Sequence, residues 1–189
     1  YSSIIFSRFP IIDSGRVRFP RPSLPEVLLH ADLLVNNDTI RVFTTHLQSL
    51  QFTRHDYERI EKIKSVEDSL LANSRGILSK LKKGITYRSL QADIVHEVMG
   101  NSPHPYILCA DLNDVPNSYT YFTVRGNMKD AFLEKGTGIG RSFTSLSPTL
   151  RIDYILASKE LEVRQFKRVT RQYSDHFMLV SDLAVKSGK

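Results

Sequence analysis

Six polar side chains stand where apolar runs end or are interrupted: His46 in TTHLQS, Asp111 and Asn113 in ADLND, Asp153 in RIDYIL, and Asp175 with His176 in SDHFML. Carboxylates and imidazoles take and give protons near neutral pH, and carboxylate oxygens also suit hard divalent cations. A strand end in an α/β protein combines rigid support with access to solvent, which is where such chemistry has to sit. Each motif alone has a plainer reading. The run Asp111-Leu112-Asn113-Asp114 is also what an Asx turn looks like, Asp153 is also a partner for Arg151, and His176 is also a histidine at a strand edge. Together, in this order and each beside an apolar strand, they mark a candidate site.

The elements that must carry these residues can be read from periodicity. Residues 106–110 form an apolar run with the length and β-rich composition of a fully buried strand, stopping at Asp111. Residues 27–35 and 39–45 are β-rich runs separated by Asn36-Asn37-Asp38, a hairpin signal that leaves His46 at the end of the second strand. Upstream, residues 1–8 read as a strand closed by Phe9-Pro10, residues 11–19 as a short edge strand, and Pro20, Pro22 and Pro25 as a stiff connection.

Between Phe52 and Gly100 the period changes to that of helices. Ile60, Ile63, Val66, Leu70 and Leu71 predict one amphipathic helix; after Asn73-Ser74, a second is predicted by Ile77, Leu78, Leu81, Ile94, Val95 and Val98. Ser118 is placed to cap a short helix through Val124, with Gly126-Asn127 closing it. The glycines at 136, 138 and 140 resemble a phosphate-cradling loop, but no helix pattern follows them, so they read as a surface loop. Strands at 151–157, 161–170 and 176–185 complete the chain. This pattern predicts a mixed α/β (α+β) domain rather than a repeating βαβ array.

Composition narrows the function classes. The 189 residues suit one domain, and Lys+Arg minus Asp+Glu gives 26 − 20 = +6, with a pI near 9.5. That charge suits an anionic partner or an ordinary basic surface. No apolar run approaches the roughly 20 residues of a membrane-spanning helix. Cys109 is the single cysteine, so an internal disulfide is excluded; its apolar surroundings predict a small core residue. The chain opens on Tyr1 and goes directly into Ile4-Ile5-Phe6, which reads as a protein whose N-terminus lies further upstream.

Running from IIFSRFPI through TTHL and ADLND to RIDYIL and SDHFML, the sequence resembles the endonuclease/exonuclease/phosphatase superfamily with its DNase I-like fold. The resemblance covers essentially all of residues 1–189, as the larger C-terminal part of one such domain. It implies a four-layer sandwich of two mixed β-sheets flanked by helices, lacking its first strands, and a metal-dependent phosphoester hydrolase. In-line hydrolysis needs an oriented water, a carboxylate to take its proton, and positive groups on the phosphoryl oxygens. The resemblance assigns the first task to Asp111, with Asn113 beside it on the phosphoryl group or the water. It makes His176 a phosphate donor oriented by Asp153, makes His46 a further phosphate-contacting histidine, and places Asp175 at the metal, Mg²⁺ or Mn²⁺. Asp114 is left as a turn residue.

The same resemblance implies that the family's principal metal-ligand glutamate precedes Tyr1. Glu58, Glu61, Glu67 and Glu97 lie on predicted helices and Glu26 follows the proline-rich connection, so none occupies its context. Residues 1–189 alone are therefore expected to hold the metal weakly and to turn over slowly or not at all. The expected partner of the monomeric protein is a phosphoester: a small molecule, a lipid head group or nucleic acid. Membrane association through an upstream segment, as in related bacterial proteins, and a cytoplasmic address both stay open. Two further readings stand beside the phosphodiesterase or phosphatase: a nuclease, for which Arg141, Arg151, Arg168 and Arg171 offer charge, and a non-catalytic module binding a phosphorylated or protein partner.

Overall fold

A computed structural model describes residues 3–20, 26–50, 52–56, 58, 70–145, 147, 149–171 and 173–186. Eight strands are present among them: β1 (Ile11–Arg18), β2 (Val27–Val35), β3 (Asp38–His46), β4 (Tyr106–Asp111), β5 (Lys129–Asp130), β6 (Asp153–Ala157), β7 (Leu161–Val169) and β8 (Met178–Val185). The helices are α1 (Leu70–Gly100), α2 (Tyr119–Arg125) and α3 (Ala131–Lys135). Six strands form a sheet in the order β1-β2-β3-β4-β6-β5, and β7 and β8 form an antiparallel pair.

The large sheet is mixed. Only β3 and β4 run parallel, and the other four pairings are antiparallel. The expected hairpin is β2–β3, closed by Asn36-Asn37, with Asn36 at φ 56. Asparagine is one of the few residues that tolerates this left-handed conformation. A parallel pair cannot be closed by a tight turn and needs a long crossover, which is the service α1 performs between β3 and β4.

Alternation along the strands divides the core in two. Leu28, Phe43, Leu108, Ala110, Tyr154 and Leu156 face α1 and α2, packing on Ala92, Val95, Met99, Tyr121 and Val124. Ile40, Ile107, Ile155 and Ala157 face the other way, onto Leu161, Val163, Phe166, Leu179 and Leu183 of β7 and β8. Helices, large sheet and small sheet therefore stack in layers, the α+β sheet-on-sheet arrangement expected.

Several local expectations change. The described part of the predicted first strand, from Ser3, is unpaired, with Ile4 and Phe6 exposed; a β-rich composition becomes a strand only where a ladder partner exists. Ile60, Ile63 and Val66 lie outside the described residues, whereas Leu70 and Leu71 belong to α1, which runs straight through Asn73-Ser74. Asn and Ser are weak helix formers rather than breakers, and tertiary packing overrides them. The buried side of α1 is Ile77, Gly84, Arg88, Gln91, Ala92, Val95 and Met99, a face that includes two polar residues, while Leu78 is exposed. At Gly84 the helix comes close to the preceding loop, and a Cβ there would lie 2.7 Å from the end of the Leu50 side chain. Cys109 is exposed, not a core residue. It shares a face of β4 with Ile107, and of the two only Ile107 belongs to the cluster packed with the small sheet. Among the described residues no helix is long and apolar enough to cross a membrane.

Arg151 supports the fold and does not offer a free charge. Its Nη1 donates to Asp130 Oδ2 at 2.7 Å, and its guanidinium lies 4.8 Å from the ring centres of both Phe132 and Tyr154. Asp130 also accepts from the Tyr121 hydroxyl and caps α3 through the Phe132 N–H. Gly140 closes this cage, since a Cβ there would meet Phe132 and the Arg151 Cδ. Replacing Arg151 by Met should cost about 3 kcal/mol or more, because Asp130 is left as a buried charge without its cation. The check is the shift of the urea midpoint, and an unchanged midpoint would contradict the ion pair's role.

Candidate active site

Strand register assembles the centre of the site. His46, the last residue of β3, lies opposite Asp111, the last residue of β4, and Asp111 lies opposite Asp153, the first residue of β6. Three chemistry-bearing residues from three strands thus form one transverse row. Because Leu108 and Ala110 point to the helices, Asp111 points to the face shared with the small sheet. His176 arrives from that side, in the segment just before β8, where it bridges to Phe143.

His176 Nδ1 lies 2.9 Å from Asp153 Oδ2 and 3.2 Å from Oδ1. Asp111, Asp153 and His176 offer ligand atoms that all lie within 4.8 Å of one another. Asp153 is itself fixed by Ser142, whose buried hydroxyl accepts from the Ile152 and Asp153 N–H groups. The neighbouring Thr144 donates its N–H and hydroxyl to the Asp175 carbonyl, tying down the segment that carries His176. Asp175, expected at the metal, is exposed and is not one of the clustered three.

Asn113 turns the chain away from the sheet at φ 50, its N–H donating to Asp111 Oδ1 at 2.8 Å. The Asx turn and the site are thus the same structure. The Asn113 amide donates to the Leu47 carbonyl and reaches His46 Nε2 at 3.2 Å. Asp114 is more than a turn residue: Oδ2 accepts from Arg88 Nε at 3.0 Å and from the Thr120 hydroxyl at 2.9 Å.

A second imidazole–carboxylate pair faces the first. His46 Nδ1 lies 3.6 Å from Glu26 Oε1, and His46 Nε2 lies 3.6 Å from Asp111 Oδ2. Glu26 was set aside on sequence because it follows prolines; only the pairing of β2 with β3 reveals that it lands beside His46. Arg88, Gln91 and Ser142 were missed for the same reason, since a polar residue in a helical or loop pattern reads as solvated surface until its neighbours are known. Of the arginines read as possible substrate charges, Arg141 and Arg168 both sit against the Phe177 ring, at 5.9 and 5.6 Å, and both donate to backbone carbonyls. Arg171 is exposed.

Environment sets the protonation of the row. Burial, then the neighbouring Asp153 charge, raises the Asp111 carboxyl to about 6, against the opposing Asn113 N–H and the two imidazoles. Hydrogen bonding to Asp153 raises His176 above its ordinary value, and Glu26 does the same for His46. The site therefore places a carboxylate with a strengthened affinity for protons between two imidazoles that favour their cationic form, an arrangement suited to proton transfer beside an anion.

The structure is a layered α+β scaffold with paired imidazoles and carboxylates across its strand ends. The Endonuclease/Exonuclease/phosphatase family model matches residues 1–176, and the chain belongs to that family. Solved structures agree on the fold. The human Nocturnin catalytic domain with bound sulfate anion has a TM-score of 0.59 and 18% identity, over 95% of this chain and 61% of that one. A mannosyl-6-phosphatase from Bacteroides thetaiotaomicron has a TM-score of 0.55 and 16% identity, over 93% of this chain and 67% of that one. TDP2 of D. rerio complexed with single strand DNA product has a TM-score of 0.61 and 13% identity, over 94% of this chain and 69% of that one. The chain thus spans less than two thirds of the Nocturnin domain. No curated relative matches the sequence.

The raised Asp111 carboxyl has a stability consequence. The unfolded chain releases this proton near 3.8 and the folded protein near 6, so folding stability falls as pH rises between those values and stays lowered above them. Asp111→Asn should therefore stabilise the protein at pH 7 to 8 by up to about 3 kcal/mol in EDTA. The gain should vanish below about pH 4, as followed by thermal denaturation across pH. A gain independent of pH, or a loss, would contradict the assignment.

Proposed function

We propose that this protein hydrolyses phosphoester bonds by in-line attack of an activated water. The observation that carries the reading is the single row His46–Asp111–Asp153 with His176 closing on it from the other sheet. Asp111 takes the proton of the attacking water; a group with pKa near 6 is ionised at neutral pH yet basic enough to accept it. His176 gives charge and a hydrogen bond to a phosphoryl oxygen through Nε2, because Nδ1 is occupied by Asp153. His46 does the same from the other flank, backed by Glu26, and the Asn113 amide orients the oxygen between them.

The donor chemistry also fits a divalent cation. Asp111 and Asp153 present neighbouring carboxylates whose mutual repulsion a cation would relieve, and magnesium or manganese would keep water at its remaining positions. Bound there, the ion supplies charge neutralisation on the phosphoryl oxygens. The small-substrate reading, a phosphodiester or phosphomonoester of a compact molecule or lipid head group, is supported by the engagement of Arg141 and Arg168 with backbone and Phe177. Neither guanidinium is presented as one of a series of phosphate contacts along a nucleic-acid strand.

The test is a panel of phosphoesters (DNA, RNA, sphingomyelin, inositol phosphates, sugar phosphates) with the full-length protein and Mg²⁺. EDTA should abolish turnover and Mg²⁺ or Mn²⁺ restore it. Asp111→Asn and His176→Ala should each lower kcat about 10²- to 10⁴-fold with substrate binding retained. Wild-type turnover in both variants would sink the assignment of these residues, whereas binding without turnover by the wild type would leave a binding module. The pH profile should be bell-shaped, with an acid limb set by Asp111 that lies below about 6 once a cation offsets its carboxylate neighbour. It should fall again above the ordinary imidazole value as His176 and His46 lose their protons.

A further inference from the structure

The helix α1 reaches into the site with two side chains one turn apart. Arg88 donates through Nη1 to the Gln48 carbonyl at 3.2 Å and through Nε to Asp114 at 3.0 Å. Gln91 accepts the Gln48 N–H at 2.8 Å on Oε1 and donates from Nε2 to Glu26 Oε2 at 2.9 Å. Both backbone groups of Gln48, two residues after His46, are thus held from α1. Gln91 is 4% exposed, so its carboxamide has no exchange with solvent to fall back on.

We propose that Gln91 is a positioning residue for the hydrolysis, which holds Glu26 so that its second oxygen faces His46 Nδ1. The proposal rests on the functional reading above, and it concerns a residue that touches neither substrate nor reacting atoms. The two ends of the carboxamide have distinct tasks. A carbonyl oxygen is required opposite the Gln48 N–H, and an N–H is required opposite the Glu26 carboxylate. Glutamate would meet Glu26 with a second carboxylate, and an apolar residue would leave both partners unpaired. With Oε2 of Glu26 taken by Gln91, Oε1 is the oxygen that remains for His46, which it approaches to 3.6 Å. A polar residue kept only to satisfy the Gln48 N–H would need no donor at all.

The experiment compares Gln91→Met, Glu26→Gln and the double variant in the full-length protein, using whichever phosphoester the wild type hydrolyses. It also follows the His46 Nδ1 ¹⁵N resonance at one fixed pH, assigned by its loss in His46→Asn. Gln91→Met should lower kcat about tenfold with KM changed less than about twofold, as expected for weakening one charged hydrogen bond to the phosphoryl group in the transition state. In the Glu26→Gln background the same substitution should cost less than about twofold, because the residue acts through Glu26. The His46 resonance should move in the same direction in both single variants. Equal losses from Gln91→Met with and without Glu26, or a His46 resonance unchanged by it, would overturn the proposal. Should Gln91→Met fail to fold, Gln91→Glu keeps the acceptor for the Gln48 N–H and sets a second carboxylate against Glu26, and the loss of its effect in the Glu26→Gln background together with a shifted His46 resonance decides the proposal. A wild type that hydrolyses no phosphoester would defeat the functional reading, while the resonance still decides the Gln91 proposal.

Discussion

The parallel pairing of β3 with β4 is the constraint on which the rest of the structure depends. Its register puts His46 level with Asp111, and the antiparallel partner β6 adds Asp153 to the same level. Shifting any one of these strands by a single residue would send its side chain to the helix face and dissolve the row. The same pairing demands a long crossover, and that crossover is α1. One topological requirement therefore delivers both the reactive row and the helix whose Arg88 and Gln91 bind the loops following it.

The site is built against the preferences of a stable fold. Three carboxylates, Glu26, Asp111 and Asp153, converge where solvent is partly excluded, and two imidazoles only partly offset their repulsion. Asp111 carries the cost, held well above the usual carboxylate range. A core residue at this place would have avoided that cost, so its persistence beside two carboxylate-backed histidines is best understood through chemistry. In the supporting framework buried carboxylates meet their cations, Asp130 with Arg151 and Asp32 with Arg41. The contrast separates what maintains the fold from what acts.

Much of this was legible in the sequence where local chemistry decides the outcome. The β2–β3 hairpin, the Ser118-capped helix and the three final strands follow from turn residues, a cap and alternation, and each is present with boundaries shifted by a residue or two. Of the site, His46, Asp111, Asn113, Asp153 and His176 stand together in space because each ends or adjoins an apolar strand. The rest depends on partners far away in the chain. Glu26 is 20 positions from His46 and Gln91 is 65 from Glu26, distances over which no periodicity or spacing carries information. Cys109 misled for a related reason: an apolar run shows that a strand is there but not how far the neighbouring sheet extends over it.

The proposed reaction is attack of water, activated at Asp111, on phosphorus. It is tested most directly by hydrolysing a nitrophenyl phosphodiester with the full-length protein in H₂¹⁸O under single-turnover conditions and analysing both products by mass spectrometry. One ¹⁸O is expected in the phosphate product and none in the nitrophenol. Label in the nitrophenol, or in neither product, would contradict it.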